Sequence, residues 1–229
     1  MARTETPNLR YELKMVYDRL ALFEVRRWVR GNSHAFRRAY PPRQVNNIYF
    51  DTQDFDCLND HISGVFERQK LRFRWYGANL SQAKGHLELK HKSNRVGWKS
   101  YQDIQTIFNL EKMNWGEILK ELRGEAAPVF REMLSVSRPV SISGYQREYY
   151  QSADNTTRVT LDYDLFGFDQ RLSPRPNLKF RTPMLDQMVI EIKCDAENSS
   201  HLDAFLAEFP LRIVNHSKYL EPLGAVLDE

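Results

Sequence analysis

Along residues 70–76 every second position is basic and the positions between are apolar: Lys70, Arg72 and Arg74 alternate with Leu71, Phe73 and Trp75. A period of two is that of a β-strand with two unlike faces. The same alternation predicts strands elsewhere. Arg10, Glu12 and Lys14 face away from Tyr11, Leu13 and Met15, and Glu88, Lys90 and Lys92 from Leu87 and Leu89, after a turn marked by Gly77, Asn79 and Gly85. Tyr145, Arg147 and Tyr149 alternate with Gln146 and Glu148. Arg158, Thr160, Asp162 and Asp164 alternate with Val159, Leu161 and Tyr163, and Glu191 and Lys193 with Ile190 and Ile192. A further strand is expected over 45–51, with Pro41 and Pro42 breaking regular structure before it.

Between these segments the period lengthens. Asp18 is a suitable N-cap for a helix whose apolar contacts are Leu20, Phe23 and Trp28 and whose end is Gly31. Over 103–125 Ile104, Ile107 and Leu110, then Ile118, Leu119 and Leu122, keep helical spacing, and Asn114 with Glu117 forms a capping-box pattern. Pro128 opens a short helix through Leu134, and strands resume at about Val140. Three prolines between Asp169 and Pro183 predict an irregular excursion, and a last helix over 200–208 stops at Pro210. With no internal repeat or low-complexity linker, residues 1–229 read as one domain.

A hydrophobic fraction of 41% is enough for a sizeable core, yet the formal charge is only +3 against 33 basic and 30 acidic residues. Any attraction for anions must therefore come from where the charges stand rather than from their total. The two cysteines, Cys57 and Cys194, have no partner at disulfide or metal-ligand spacing, which fits a reducing, cytoplasmic setting. The polar N-terminus has no signal-peptide core, and no apolar run reaches the length of a membrane span.

Charge on one strand is ordinarily solvated. Here the basic residues recur on strand after strand, always opposite an apolar face. If helices cover the apolar faces, the sheet must close with its charges inward, which makes the expected fold α+β, an antiparallel eight-stranded β-barrel with a charged lumen and helices packed outside. Two like charges 4 Å apart repel by about 4 kcal/mol at an effective dielectric near 20, so such a lumen calls for an oxygen-rich anion. Arg meets phosphate oxygens with two parallel donors, and Lys acts as a point charge. The interleaved acids Glu12, Glu88, Asp162 and Glu191 would repel a polyphosphate unless a divalent cation, Mg²⁺ or Mn²⁺, stands between them. Glu191 is the first choice as its ligand and Glu12 the second, with pairing to a neighbouring base the alternative role. No phosphate-binding glycine loop, Ser-His-Asp arrangement or HExxH spacing is present. His91 and His216, near candidate residues, are read as structural or solvated. Nucleic-acid binding is not expected, because Phe73 and Trp75 would face opposite to the arginines and could not stack bases where phosphates bind.

Taken in order, Ile48-Tyr49-Phe50-Asp51 followed by Asp54-Phe55-Asp56, Leu71-Arg72-Phe73-Arg74-Trp75-Tyr76-Gly77, Glu88 with Lys90, and Tyr145 with Arg147 form a recognisable series. It continues with Arg158-Val159-Thr160-Leu161-Asp162, Ile190-Glu191-Ile192-Lys193 and Ser217-Lys218-Tyr219. The series resembles the VTC domain, the polyphosphate polymerase domain of the triphosphate tunnel metalloenzymes, over nearly the whole chain. The resemblance implies that Arg72, Arg74, Lys90, Arg147 and Arg158 bind the reacting phosphates. It further implies that Lys14, Lys70, Lys193, Ser217 and Lys218 add contacts along the bore or at its mouths, and that Glu191 binds the metal. It also implies ATP and polyphosphate or tripolyphosphate as ligands, and a membrane-embedded partner that would hold a cytoplasmic chain at a membrane. The related triphosphatases carry Glu-x-Glu-x-Lys on the first strand where this chain has Arg10-Tyr11-Glu12-Leu13-Lys14, one acid replaced by a base, and fungal-type VTC domains tend to carry Lys where Asn215 stands. Three activities share such a lining: a polymerase, a triphosphatase using water as acceptor, and a non-catalytic binding module for polyphosphate or inositol phosphates.

Overall fold

A computed structural model describes residues 2–4, 10–93 and 96–195. The expected helix over 200–208, together with Asn215, His216, Ser217, Lys218 and Tyr219, lies outside the described residues. The strands are β1 (Arg3–Thr4), β2 (Arg10–Asp18), β3 (Arg37–Asp51), β4 (Glu67–Tyr76), β5 (Gly85–Ser93), β6 (Val96–Asp103), β7 (Arg138–Gln151), β8 (Thr157–Asp169) and β9 (Gln187–Asp195). They form one antiparallel sheet in the order β1-β6-β5-β4-β3-β7-β8-β9-β2. The expected eight-stranded barrel is thus corrected on one point. Eight long strands are there with a two-residue ninth, but among the described residues no ladder joins β2 to β6 or β1. The sheet curls instead, bringing Glu12 on β2 to 3.5 Å from Lys90 on β5, on the opposite flank of the strand order.

Two separate apolar cores cover the outside of the curl. One joins β3, β4 and β5 (Ile48, Phe50, Leu71, Phe73, Trp75, Leu87) to α3 (Trp115–Glu125) and α4 (Pro128–Val136). The other packs Met15, Val159, Leu161, Ile190 and Ile192 under α1 (Leu22–Gly31). The helices start where the chain supplies caps. Asn114 and Glu117 exchange side-chain and backbone hydrogen bonds at α3, and Pro128 is the first residue of α4. At α1 the expected contacts are corrected. Asp18 accepts from the Leu20 amide, but into a single 3₁₀ turn over Arg19–Ala21. The register this sets buries Leu22, Val25 and Val29 and leaves Leu20 and Phe23 exposed.

Pro41 and Pro42 do not interrupt β3. Over this stretch β3 pairs with β7 alone, through bulges on either side of Tyr40, and its ladder to β4 begins only at Val45. A proline on an unpaired strand edge forfeits no ladder bond. Residues 104–110, expected to be helical, run as an irregular segment pinned by Phe108 against Ala83. The excursion between β8 and β9 is irregular, as its prolines require. A short helix, α2 (Asp56–Ile62), starts where the Asp51 carboxylate accepts the amides of Cys57 and Leu58. Among the described residues no helix is long and apolar enough to cross a membrane.

Candidate functional site

Every long strand but β8 contributes to one cavity of about 110 Å³ inside the curl, and all but β3 bring a basic side chain to it. Strand alternation sets the lining. On β4, Lys70, Arg72 and Arg74 point in, while Leu71, Phe73 and Trp75 are buried in the outer core. Lys90 comes from β5, Lys99 from β6, Tyr145 and Arg147 from β7, Glu191 and Lys193 from β9, Glu12 and Lys14 from β2, and Tyr49 from β3. Of the residues expected to hold phosphate, Arg72, Arg74, Lys90, Arg147, Lys14, Lys70 and Lys193 are therefore together, as are both expected metal ligands, Glu191 and Glu12. Arg158 stands opposite Lys193 on β8, but it is exposed and donates from Nε to Gln151 Oε1 at 3.3 Å, at the rim rather than in the cavity. Ser217 and Lys218 lie outside the described residues.

Two buried carboxylates stand behind the cations and hold them in place. Glu88 sits between Arg72, with which it hydrogen-bonds, Arg74 at 3.6 Å and Lys99 at 3.3 Å. Burial works to raise its pKa, but these three cations hold it well below the ordinary carboxylate value. Asp162 receives both faces of the Arg147 fork, at 2.5 Å from Nε and 2.6 Å from Nη2. Arg74 is fixed further by Asn47 Oδ1 at 2.9 Å and the Tyr145 hydroxyl at 3.3 Å. Each guanidinium is thus oriented before any ligand arrives.

The two carboxylates that do line the cavity are shared among lysines. Glu191 Oε1 is 2.8 Å from Lys193, and Glu12 lies 3.4 Å from Lys14, 3.5 Å from Lys90 and 3.8 Å from Lys193. Burial and the neighbouring Glu191 push Glu12 up, yet the three lysines outweigh them and hold it at about 2. Among the described residues no cluster of three or more His, Cys, Asp or Glu could hold a metal unaided. Two carboxylates beside a phosphate site do suit a magnesium-type ion, which takes one or two protein oxygens and completes its shell from phosphate and water.

The cavity's two ends differ. At the Lys70 end the bases Arg68 and Lys92 continue the lining faces of β4 and β5, and α2 stands against it. Leu58 packs on Tyr49, and His61 is drawn down to about 4 by burial and by the nearness of Lys70, Arg68, Lys14 and Lys92. Burial, then Lys14, Lys90, Arg68 and Arg72, push Lys70 itself down to about 7, and burial takes Lys99 to about 8 against the pull of Glu88. At the Arg74 end the lining gives way to Tyr76, His86 and Tyr101.

Lys99 was not legible as a site residue. On β6 Gly97, Lys99, Tyr101 and Asp103 alternate with Trp98, Ser100 and Gln102, so neither face reads as apolar and the strand itself is hidden. On its outer face Gln102 is satisfied between α3 and α4, donating to Glu125 O and accepting from the Ala127 amide, and Ser100 is hydrogen-bonded to Thr4 of β1.

A family model, the VTC domain, matches residues 9–226. Solved structures share the fold at low identity. One is an adenylate cyclase candidate from Bacillus halodurans, at 14% identity and a TM-score of 0.58, with 94% of this chain and 97% of that chain covered. The PH1819 protein from Pyrococcus horikoshii follows at 18% and 0.52, covering 96% and 100%. An adenylyl cyclase candidate from Hippeastrum, described as having a dominant triphosphatase activity, matches at 18% and 0.52, covering 93% and 95%. No curated protein is a significant match in sequence.

Proposed function

Because the chain belongs to the VTC domain family, we propose that it is a metal-dependent polyphosphate polymerase acting on ATP. An oxygen of the terminal phosphate of the acceptor chain attacks the γ-phosphorus of ATP. The bond from that phosphorus to the β,γ-bridging oxygen breaks, a new phosphoanhydride forms, and ADP leaves with the bridging oxygen. The observation that carries this reading is the charge count of the cavity. Eight basic side chains line it against Glu12 and Glu191, and when the backing carboxylates Glu88 and Asp162 are added four formal positive charges still stand over, as when every lysine is protonated. That excess suits an oligophosphate rather than a single carboxylate or phosphate.

Phosphoryl transfer needs positioning and charge stabilisation more than covalent help. Arg72, Arg74 and Arg147, held by Glu88, Asn47 and Asp162, supply fixed donors for the phosphates. Glu191 and Glu12 would hold Mn²⁺ or Mg²⁺, which neutralises charge on the transferring group when bound. Lys193 and Lys90, which pair with these carboxylates, line the same cavity and would meet phosphate oxygens there. A membrane-embedded partner and a cytoplasmic location peripheral to it belong to the same reading.

A second reading, a triphosphatase with water as acceptor, draws support from the Hippeastrum structure and from α2 standing at the Lys70 end, where a growing chain would have to pass. Incubation of the purified protein with ATP and Mn²⁺ or Mg²⁺, with phosphate chains resolved on a gel and free phosphate assayed in parallel, separates the two. Long chains with ADP, lost in Glu191→Gln, are expected of the polymerase. Free phosphate without chains transfers the assignment to the triphosphatase, and tight tripolyphosphate binding without either product to a binding module.

A further inference from the structure

Helix α2 differs from the other described helices in what it packs on. The helices α1, α3 and α4 lie over the two large apolar cores, whereas Leu58 of α2 packs on Tyr49, whose hydroxyl accepts from Arg72 at 3.3 Å inside the cavity. Its position is fixed at both ends. Asp51 accepts the amides of Cys57 and Leu58 at the start. At the finish the Val65 amide donates to Asp60 O at 3.0 Å, and Arg68 of β4 donates to Val65 O at 3.0 Å. His61, in the last turn, is thereby held beside the bases of the Lys70 end.

The surroundings of this ring do not suit a structural histidine. Its Nδ1 atom is buried and meets no hydrogen-bond partner among the described residues. A buried nitrogen left so is costly, and one beside an anion site points to a ligand that completes it. The charges that bear on the ring most are cations: Lys70 and Arg68 from β4, Lys14 from β2 and Lys92 from β5. On its own helix the Asp56 carboxylate is taken up by the Thr52 hydroxyl at 2.8 Å, and Asp60 precedes it in the chain. A helix C-terminus ordinarily favours a charged histidine. Here burial and the four cations prevail and hold the ring neutral down to about 4. A phosphate chain at this place reverses the balance, because its oxygens offset the cations and accept from a protonated Nδ1.

We propose that His61, with Arg68 and Lys92, is a subsite for a phosphate chain that extends past Lys70, and that through it the protein recognises the length of the chain. The proposal rests on the reading of the cavity as an oligophosphate site and adds its far limit. Arg68 and Lys92 stand opposite each other on β4 and β5, one step beyond Lys70 and Lys90 on the same faces. From Arg74 to Arg68 is six strand residues, roughly 20 Å at 3.3 Å each, so three phosphates held by Arg72, Arg74 and Arg147 end short of α2 and a longer chain reaches it. His61 then takes a proton from solvent and donates it in a hydrogen bond from Nδ1 to a phosphate oxygen, with no covalent step. Because the ring is more basic in the long-chain complex than in the free protein, long chains gain affinity as pH falls below the raised value, and short ones do not.

The test compares tripolyphosphate with a polyphosphate long enough to span Arg74 to Arg68, on the full chain and without divalent cation. Nuclear magnetic resonance follows the His61 ring, its signal identified by its loss in His61→Gln. The titration midpoint should stay near 4 with tripolyphosphate. With the long chain it should rise by about two pH units. Calorimetry at about pH 5 should then show His61→Gln losing about ten-fold in long-chain affinity, and at about pH 8 wild type and variant should bind the long chain alike. The titration of Lys70 is common to both proteins and drops out of the comparison. Tripolyphosphate affinity within about two-fold of wild type shows that the variant is folded. A midpoint that stays near 4 with both ligands, or rises equally with both, overturns the subsite and leaves the oligophosphate reading standing. A loss in His61→Gln that is the same at both pH values overturns it too, by making the ring a structural prop. A wild type that binds neither ligand removes the oligophosphate reading and this one with it.

Discussion

Lys70 and Lys99 are the residues at which the crowding of positive charge in the cavity shows most directly. A lysine ordinarily titrates near 10.4, whereas burial among other cations brings Lys70 to about 7 and burial brings Lys99 to about 8. In the unfolded chain both keep their protons to the ordinary value, so between about pH 7 and pH 10 folding releases protons and the stability of the empty protein should rise with pH. Phosphate reverses the sign for binding. An anion beside these lysines restores their charge, so tripolyphosphate should bind with proton uptake at pH 8.5, with almost none below pH 6, and more weakly as pH rises through 7 to 8. Calorimetry in buffers of different ionisation enthalpy reads this directly. Equal heats in all buffers at pH 8.5, or an uptake unaltered in Lys70→Met, would contradict it. Glu88 shows the complementary device, a buried carboxylate that keeps Arg72, Arg74 and Lys99 from repelling one another while the cavity waits.

At the scale of elements the pairing of β4 with β5 is the most tightly specified. A β-carbon built at Gly85 would stand 1.9 Å from the carbonyl oxygen of Arg74, so any side chain there must push the two strands apart. Gly85→Ala should destabilise the fold by about 1–3 kcal/mol, read by denaturant unfolding, and should weaken tripolyphosphate binding because Arg74 moves with its strand. Wild-type affinity in that variant would show that Arg74 is positioned by its side-chain partners alone. The strands carrying most of the site were legible because their two faces differ in hydrophobicity: β2, β4, β5 and β9 each turn an apolar face to a core and a charged face to the cavity. What the sequence hid has physical causes. Polar side chains on both faces of β6 masked that strand, and Lys99 with it. The bulges around Tyr40 let β3 run through two prolines that ordinarily mark a break. One extra 3₁₀ turn rotated α1, so Leu20 and Phe23 face outward where spacing alone put them inside. Arg158 was placed on the right face, but alternation says nothing of depth, and it stands at the rim.

Over the whole molecule, most apolar burial lies outside the ring of charge in two large cores, with a small cluster of Tyr49, Leu58 and Val140 under α2. One core belongs to β3, β4 and β5 with α3 and α4, the other to β2 and β9 with α1. Strands β7 and β8 cross between them, giving Ile142 and Phe168 to the first and Tyr150 and Leu161 to the second. On the remaining side the described residues meet through ion pairs such as Glu12 with Lys90, with no strand ladder. The described residues thus form two half-shells on one spine, joined on that side by an electrostatic clasp. Such shells need not open together. Hydrogen exchange on the empty protein should show the amides of β2 and β9 exchanging through openings that leave β4 and β5 protected. Saturating tripolyphosphate should merge the two sets, since a ligand that touches both shells stabilises only the closed form. Protection that is uniform without ligand would mean the spine alone makes the shells one unit. The clasp also has a bearing on salt. Its pairs are partly exposed and weakened by ionic strength, whereas a polyanion threaded between the shells replaces several of them at once. On the proposed reading the phosphate chain would be a structural strut as well as a substrate, and the protein should be most rigid while it is working.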